Sequence, residues 1–168
     1  MKFKFSPSIP ESVWPKSTLL SDNTPSEFTE SVYMIDADSE YPVAYEIKYE
    51  YDFNPFKEGL IVGDILAVGI QNHFYLFDLK TQKNILSQEI EGYFCKIYFD
   101  EDKFFVTGAS GVYAISKEGK LLWENNRLGV DGVLIGEINE NALFLNAQID
   151  PPDGWKGFRL NKKNGLEF

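Results

Sequence analysis

The clearest pattern in the sequence is a strict alternation of apolar and polar positions from Val43 to Phe53, "VAYEIKYEYDF". This alternation predicts a β-strand, because successive side chains of a strand point to opposite faces of the sheet. One face would pack on the core and the other would present charge to water. We therefore predict a long antiparallel strand that ends at Asn54-Pro55.

A second pattern is an internal repeat in the C-terminal two thirds of the chain. The stretch "DILAVGIQNHFYLFDLKTQKNIL" at 64–86 aligns with "KFFVTGASGVYAISKEGKLLW" at 103–123, with an offset of 38 to 39 residues. A weaker third copy includes "ALFLNA" at 142–147. Repeats of about 40 residues with several short strands each are typical of propeller-type folds. The positions that match between the first two copies are Gly69 with Gly108 and Tyr75 with Tyr113.

The strand-turn-strand element of each copy is similar to a known family. The stretches "LFDLKTQKNIL", "AISKEGKLLWE" and "FRLNKKNGLEF" resemble the repeats of PQQ-like and related propellers, and the resemblance covers residues 61–168. It implies a blade-like meander. It does not imply a bound quinone, because the repeats are too few and the ligand pattern of the quinoproteins is missing.

These patterns together predict an all-β fold. We expect an antiparallel meander of three to four blade-like repeats, arranged as an incomplete propeller or a compact twisted sandwich. A single β domain would span 32–168, with repeats near 64–90, 93–125 and 132–168. Residues 1–31 hold four of the eight prolines and show no sustained period, which predicts an irregular N-terminal arm.

The charge distribution changes the functional picture. The 168 residues carry 26 acidic and 16 basic side chains, a net charge of −10, which disfavours direct nucleic-acid binding. Nine acidic residues and one basic residue lie between Asp22 and Asp52. This segment is either a solvated face or a surface that attracts a basic macromolecule. The residues that we assign to partner binding here are Asp36, Asp38, Glu40, Glu46, Glu50 and Asp52.

The sequence contains few candidate catalytic residues. His73 is the single histidine and no nucleophile motif accompanies it, while Cys95 lies at a strand position where a small buried apolar residue is expected. One histidine and one cysteine do not build a usual zinc site, so we expect no metal and no cofactor. The loop "DPPDGW" is a candidate binding anchor, because two prolines stiffen it beside Asp150, Asp153 and Trp155. The other interpretation is an edge loop with a core tryptophan.

Two main functions from different classes follow, and a scaffold subunit of a larger assembly is a third alternative. The overall character resembles the immunity proteins of contact-dependent inhibition and polymorphic toxin systems: small, acidic and without catalytic motifs. This implies a non-enzymatic protein that neutralises a basic partner, such as a nuclease-type toxin. The alternative is a small-molecule or carbohydrate-binding β module with aromatic contacts. No apolar run reaches the length of a membrane span and no secretory signal is evident, so we expect a cytoplasmic protein with no membrane contact.

Overall fold

The computed structural model describes residues 3–6, 8, 16–19, 30–36, 44–49, 55–81 and 83–168. These residues form fifteen β-strands joined by turns and loops. The strands are β1 (Phe3–Ser6), β2 (Lys16–Leu19), β3 (Glu30–Asp36), β4 (Ala44–Tyr49), β5 (Lys57–Val62), β6 (Ile65–Ile70), β7 (His73–Asp78), β8 (Lys83–Glu89), β9 (Phe94–Asp100), β10 (Lys103–Gly108), β11 (Val112–Ser116), β12 (Leu121–Asn125), β13 (Val133–Ile138), β14 (Ala142–Asp150) and β15 (Gly154–Asn161).

The described strands are arranged in four sheets. Sheet 1 has the order β1-β3-β4-β2 and includes one parallel pair, β2 with β4. Sheets 2, 3 and 4 are antiparallel meanders in chain order, formed by β5 to β8, β9 to β12 and β13 to β15. The prediction of an all-β fold built from blade-like antiparallel repeats is confirmed, since each predicted repeat corresponds to one meander.

Sheet 2 begins earlier than the predicted repeat. The repeat was placed from 64, whereas the first strand of the sheet starts at Lys57. The sequence of this strand, "KEGLIV", does not by itself predict a β-strand, because it begins with two charged residues and a glycine. Its six residues are all half-buried, and it is defined by pairing with β6 from Lys57 to Val62.

The segment 1–31 differs from its prediction. We expected an irregular arm, yet it supplies β1, β2 and the first residues of β3 to sheet 1. The prediction is wrong for these residues because strands of four residues are too short to show a period. They are defined instead by pairing, β1 with β3 and β2 with β4.

The alternating stretch from Val43 to Phe53 forms β4 over Ala44–Tyr49, and the rest of it lies outside the described residues. The predicted core face is confirmed at Ile47, which is buried and packs with Tyr45 against sheet 2. The opposite face is not the open surface that we expected. Ala44 is fully buried and Glu46 is half-buried, so both faces of this strand are partly covered.

Three hydrophobic clusters join consecutive sheets. The first surrounds Ile47 between sheets 1 and 2, and the second includes the tilted contact of Phe74 with Phe104 between sheets 2 and 3, with ring centroids 5.9 Å apart. The third includes Phe105 and Leu145 between sheets 3 and 4. Sheets 2 and 3 therefore contribute to a hydrophobic cluster on each of their two faces.

The first strands of successive sheets lie side by side, β1 with β5, β5 with β9 and β9 with β13. Side chains bridge them. Glu58 Oε2 accepts a hydrogen bond from the backbone N–H of Ile97 at 2.6 Å, and the Tyr98 hydroxyl accepts one from the N–H of Ile135 at 3.0 Å. Because the first strands adjoin and the sheets stack in chain order, the arrangement is propeller-like.

Candidate functional site

The loops at one end of sheets 2 to 4 form a continuous surface, which we call the loop end. Backbone hydrogen bonds tie its segments together: Ala109 N–H donates to the carbonyl of Tyr93 at 2.9 Å, and Gly132 N–H donates to that of Ala109 at 2.8 Å. Gln148 N–H in turn donates to the carbonyl of Gly132 at 2.9 Å. Side chains on this end therefore project from backbone segments that hydrogen bonds hold together. The loop end comprises residues 55–56, 71–72, 90–93, 109–111, 126–132 and 150–155, the last range including the end of β14 and the start of β15.

Aromatic side chains are exposed at the loop end. Phe56 and Trp155 expose 49% and 47% of their surface, far more than core aromatics. Phe56 stacks on Tyr93 with ring centroids 6.1 Å apart and planes 23° from parallel. Trp155 Cη2 and the Tyr93 hydroxyl both lie about 4 Å from the point that a Cβ on Gly132 would occupy. Half-exposed aromatics so placed resemble the anchor residues of binding surfaces.

Carboxylates accompany these rings. The Tyr93 hydroxyl donates a hydrogen bond to Asp131 Oδ1 at 2.7 Å. Burial raises the pKa of Tyr93 well above its ordinary value, and the bond to Asp131 raises it further, so the hydroxyl remains a donor at neutral pH. Asp131 itself is exposed. We call Phe56, Tyr93, Asp131 and Trp155 the aromatic-acidic surface.

The predicted anchor loop "DPPDGW" adjoins this surface. Its carboxylates, Asp150 and Asp153, are exposed, and the N–H of Trp155 donates to the carbonyl of Asp153 at 3.0 Å. The Gln148 side chain, which is buried, donates to the carbonyl of Pro152 and holds the loop from below. Trp155 is 47% exposed, which favours the anchor interpretation over a core tryptophan.

The predicted acidic segment is only partly within the described residues. Asp36 is the last residue of β3, and Glu46 lies in β4, where Glu46 Oε1 accepts a hydrogen bond from the Tyr33 hydroxyl at 3.1 Å. Burial, followed by the bond and charge of Glu46, raises the pKa of Tyr33. These residues belong to sheet 1, apart from the anchor loop of sheet 4. Four predicted positions lie outside the described residues: Asp38, Glu40, Glu50 and Asp52.

Sequence reasoning missed three members of the aromatic-acidic surface: Phe56, Tyr93 and Asp131. The available signal was the repeat itself, because Tyr93 and Asp131 are 38 residues apart, the same offset as the repeat. Two bonds between sheets 3 and 4 show similar spacings: Trp123 Nε1–H donates to the carbonyl of Lys162, and Asn125 Nδ2–H donates to that of Gly165. Aligned loops of successive blades therefore meet in space.

His73 and Cys95 lie on different strands of the described structure, β7 and β9. His73 opens β7, stacks on Tyr75 with centroids 5.6 Å apart, and places Nδ1 2.9 Å from Asn72 Oδ1. Burial lowers the pKa of His73, against a smaller opposing effect of Glu89. Cys95 is half-buried in β9, and burial raises its pKa to about 11, so the thiolate is scarce at neutral pH.

Within the described ranges, no group of three or more histidine, cysteine, aspartate or glutamate side chains is placed to hold a metal ion. The same part of the chain contains no helix that is long and apolar enough to cross a membrane.

Comparisons with known proteins bear on the fold alone. No family model and no curated protein matches the sequence. Among solved structures, the chain is similar to BamB from Moraxella catarrhalis, a PQQ-like propeller protein, at 14% sequence identity and a TM-score of 0.48. The match covers 73% of this chain and 38% of the BamB chain, so this chain spans less than two fifths of that length. The propeller-like β arrangement rests on the strand order and on the contacts between successive sheets described above. The resemblance to immunity proteins stays a hypothesis.

Proposed function

We propose that this chain is a non-enzymatic binding protein that holds a basic protein partner on the aromatic-acidic surface. One observation carries the proposal: half-exposed Phe56 and Trp155 lie near Tyr93, whose hydroxyl donates to the Asp131 carboxylate. Backbone hydrogen bonds through Ala109 join the loops that carry Tyr93 and Asp131. A braced surface loses little conformational entropy on binding, which favours affinity.

The two kinds of side chain have different roles in this proposal. Aromatic rings such as Trp155 supply large rigid contact area and accept the cationic groups of lysine or arginine over their faces. The carboxylates of Asp131, Asp150 and Asp153 raise the association rate of a positively charged partner. The net charge of −10 extends this attraction beyond the contact itself.

The finer proposal is that the partner is a basic toxin domain, and that this chain neutralises the domain by covering its active surface. Its support is the acidic charge, and a surface that offers aromatic anchors and carboxylates. The Tyr93 hydroxyl is occupied by Asp131, and the thiol of Cys95 is protonated at neutral pH, so neither group is prepared for nucleophilic chemistry. The acidic segment around Asp36 and Glu46 would add to the attraction of the partner.

A saccharide or small-molecule ligand is the second candidate. The observation that favours it is the exposed ring of Trp155 beside carboxylates, an arrangement that also suits stacking on sugars. A ligand that binds only the native state must raise the melting temperature. A thermal-shift screen over sugars and nucleotides, repeated with Trp155→Ala, separates this candidate from the protein-binding proposal.

Site-specific photo-cross-linking tests the main proposal. Trp155 is replaced by a photoreactive phenylalanine analogue, the protein is irradiated in the cells that produce it, and cross-linked species are identified by mass spectrometry. The matched control carries the same analogue at Leu166, which is 64% exposed and lies after the far end of β15. We expect one basic polypeptide to cross-link from position 155 and not from position 166.

The purified partner then allows a quantitative test. We expect Trp155→Ala to weaken binding by about thirty-fold, the equivalent of about 2 kcal/mol for an anchor residue. The association rate should fall as salt rises, since screening weakens the attraction between exposed charges. Cross-linking only to acidic proteins, or an association rate that ignores salt, would contradict the proposal.

A further inference from the structure

A small open space lies above Gly132, between two side chains of the aromatic-acidic surface. A Cβ placed on Gly132 would lie 3.9 Å from Trp155 Cη2 and 4.0 Å from the Tyr93 hydroxyl oxygen. Apart from the chain neighbours of Gly132, no other described heavy atom would lie within 4 Å of that point. A flat group lying over Gly132 would therefore meet the indole on one side and the phenol on the other. We call this space the Gly132 gap.

The polar side-chain atoms beside the gap are hydrogen-bond acceptors. The Tyr93 hydroxyl donates its proton to Asp131 Oδ1 at 2.7 Å, so its oxygen can only accept a hydrogen bond from a ligand. Asp131 is exposed, and an ionised carboxylate accepts only. The indole atom nearest the gap, Cη2, belongs to the six-membered ring and carries no polar group. A ligand in the gap must therefore supply donors.

The backbone beside the gap does not reverse this preference. The N–H of Gly132 donates to the carbonyl of Ala109 at 2.8 Å, and the N–H of Ala109 donates to the carbonyl of Tyr93 at 2.9 Å. These donors are occupied within the loop end. A phosphate or carboxylate ligand needs donors from the protein and would be repelled by Asp131, whereas a cation brings donors and opposite charge.

The spacing of the acceptors distinguishes between the two common protein cations. Tyr93 Oη and Asp131 Oδ1 are 2.7 Å apart, so two acceptor oxygens lie side by side. The guanidinium group of arginine presents its N–H groups in a rigid planar fork that suits adjacent oxygens, and its face stacks on aromatic rings. The ammonium group of lysine is a strongly hydrated point charge with neither property. Phe56 stacks on Tyr93 and restrains the phenol that carries one of the acceptors.

We propose that the Gly132 gap binds one arginine side chain of the partner, with the guanidinium against Trp155 and its N–H groups donating to Tyr93 Oη and Asp131. This inference rests on the proposed function and narrows it, because it names the residue type that the partner inserts. No described lysine, arginine or histidine forms an ion pair with Asp131, so its charge is not already compensated within that part of the chain.

Nuclear magnetic resonance titration of the intact, isotope-labelled protein tests the proposal with three tripeptide probes. The probes share one frame, acetyl-glycyl-X-glycine amide, in which X is arginine, lysine or citrulline. Citrulline keeps the planar end group but is uncharged and has a carbonyl acceptor. We expect the arginine peptide to shift the indole N–H signal of Trp155 and the amide signal of Gly132, and to bind at least about five-fold more tightly than the lysine peptide. The citrulline peptide should give no saturable shift.

Two variants and a control assign the contacts. Tyr93→Phe removes one acceptor oxygen but keeps the ring that stacks on Phe56, so the preference for arginine over lysine should disappear. Asp131→Asn removes the charge, so both peptides should bind more weakly. The matched control is Asp64→Asn, which removes the same charge in the turn between β5 and β6, where Asp64 pairs with Lys80. It should leave both affinities within about two-fold of wild type, since a distant exposed charge is screened.

Three results would overturn the proposal. The first is equal affinity of the wild-type protein for the arginine and lysine peptides, a comparison that holds even if a variant does not fold. The second is a set of shifted signals that lies outside the loop end. The third is a folded Tyr93→Phe variant that retains the preference for arginine.

The partner separates this inference from the proposed function. A basic partner that cross-links from position 155, and keeps its affinity when each of its arginines is changed to lysine, would refute the arginine site and leave the proposed function standing. The absence of any basic partner would contradict the proposed function, and the peptide titration would still decide whether the Gly132 gap binds arginine.

Discussion

Acidic residues at the two ends of the stacked sheets differ in whether lysines pair with them. At the end opposite the loop end, which we call the hairpin end, lysines neutralise turn carboxylates: Lys80 lies 2.6 Å from Asp64 and Lys103 lies 3.1 Å from Asp102. Lys162 also pairs with Asp100. The hairpin end comprises residues 63–64, 79–81, 101–102, 117–120, 139–141 and 162–165.

At the loop end, no described lysine, arginine or histidine forms an ion pair with Asp131, Asp150 or Asp153. The neighbour of Asp131 is instead Tyr93, whose hydroxyl donates a hydrogen bond to it. Among the described residues, lysines therefore compensate the charge of the carboxylates at the hairpin end and leave that of these three aspartates uncompensated. A carboxylate already neutralised within the chain attracts a cationic partner less, because its charge is compensated.

The largest effect on stability should come from Lys162→Ala. The Lys162 side chain is only 5% exposed, pairs with Asp100 and lies 3.4 Å from Glu101. The carboxylates of Asp100 and Glu101 are 35% and 60% exposed, so solvent screens the pair and most of the effect comes from the packed stem of the lysine. The free energy of unfolding should fall by about 3 kcal/mol, measured by urea denaturation. Lys80→Ala, at an exposed pair, is the matched control and should leave the unfolding midpoint nearly unchanged.

The pH dependence sharpens this prediction. Burial by itself would lower the pKa of Lys162, but the hydrogen bond and charge of Asp100, with Glu101, raise it above the ordinary lysine value. Because the pKa of Lys162 is higher in the folded than in the unfolded protein, the pair stabilises the fold fully at a pH below the unfolded-state pKa. This contribution is lost as the pH rises through the folded-state pKa. The gap between wild type and Lys162→Ala should therefore be constant near neutrality and narrow only in strong alkali. A gap that already narrows in mild alkali, below the ordinary lysine pKa, would contradict the assignment.

A smaller loss of stability is expected from Gly108→Ala, which tests how the loop end is held. A Cβ here would lie 2.4 Å from Ile90 Cγ2 and 2.9 Å from the carbonyl of Tyr93, far inside normal contact. We expect the free energy of unfolding to fall by about 2 kcal/mol, together with weaker partner binding, because Tyr93 must move. Gly157→Ala, where the contact is ordinary, is the control. An unchanged melting temperature would show that the packing tolerates this shift.

The smallest structural effect is expected from Asp131→Asn. It removes the charged acceptor of the Tyr93 hydroxyl while keeping the shape of the side chain. Burial is the larger cause of the raised pKa of Tyr93, so that pKa should fall yet stay above the ordinary value, as measured by NMR titration of labelled tyrosine. The free energy of unfolding should change by about 0.5 kcal/mol or less, as is usual for a substitution at an exposed position. A pKa that does not move would show that the bond is absent in solution.

The repeats were predictable because their signals are local. Gly69 and Gly108 mark the same place in successive sheets, and both are required by close contacts: a Cβ at Gly69 would lie 2.1 Å from the ring of Phe94. A tight hairpin at Glu101 and Asp102 joins β9 to β10, and Glu101 has φ of +56° there. Its pairing with Lys162 was not predictable, because that lysine is about sixty residues away along the chain.

The sequence by itself determined the class of fold, the period of the blades and the candidate anchor Trp155, because alternation, turn residues and repeats act over a few neighbouring positions. Only the tertiary structure decided that β1 and β2 are strands, that Ala44 is buried, and that Phe56, Tyr93 and Asp131 lie on one surface. Each of these depends on which segments meet after the sheets stack. A local sequence pattern does not predict contacts between residues some forty positions apart, unless the sequence contains a repeat of that length.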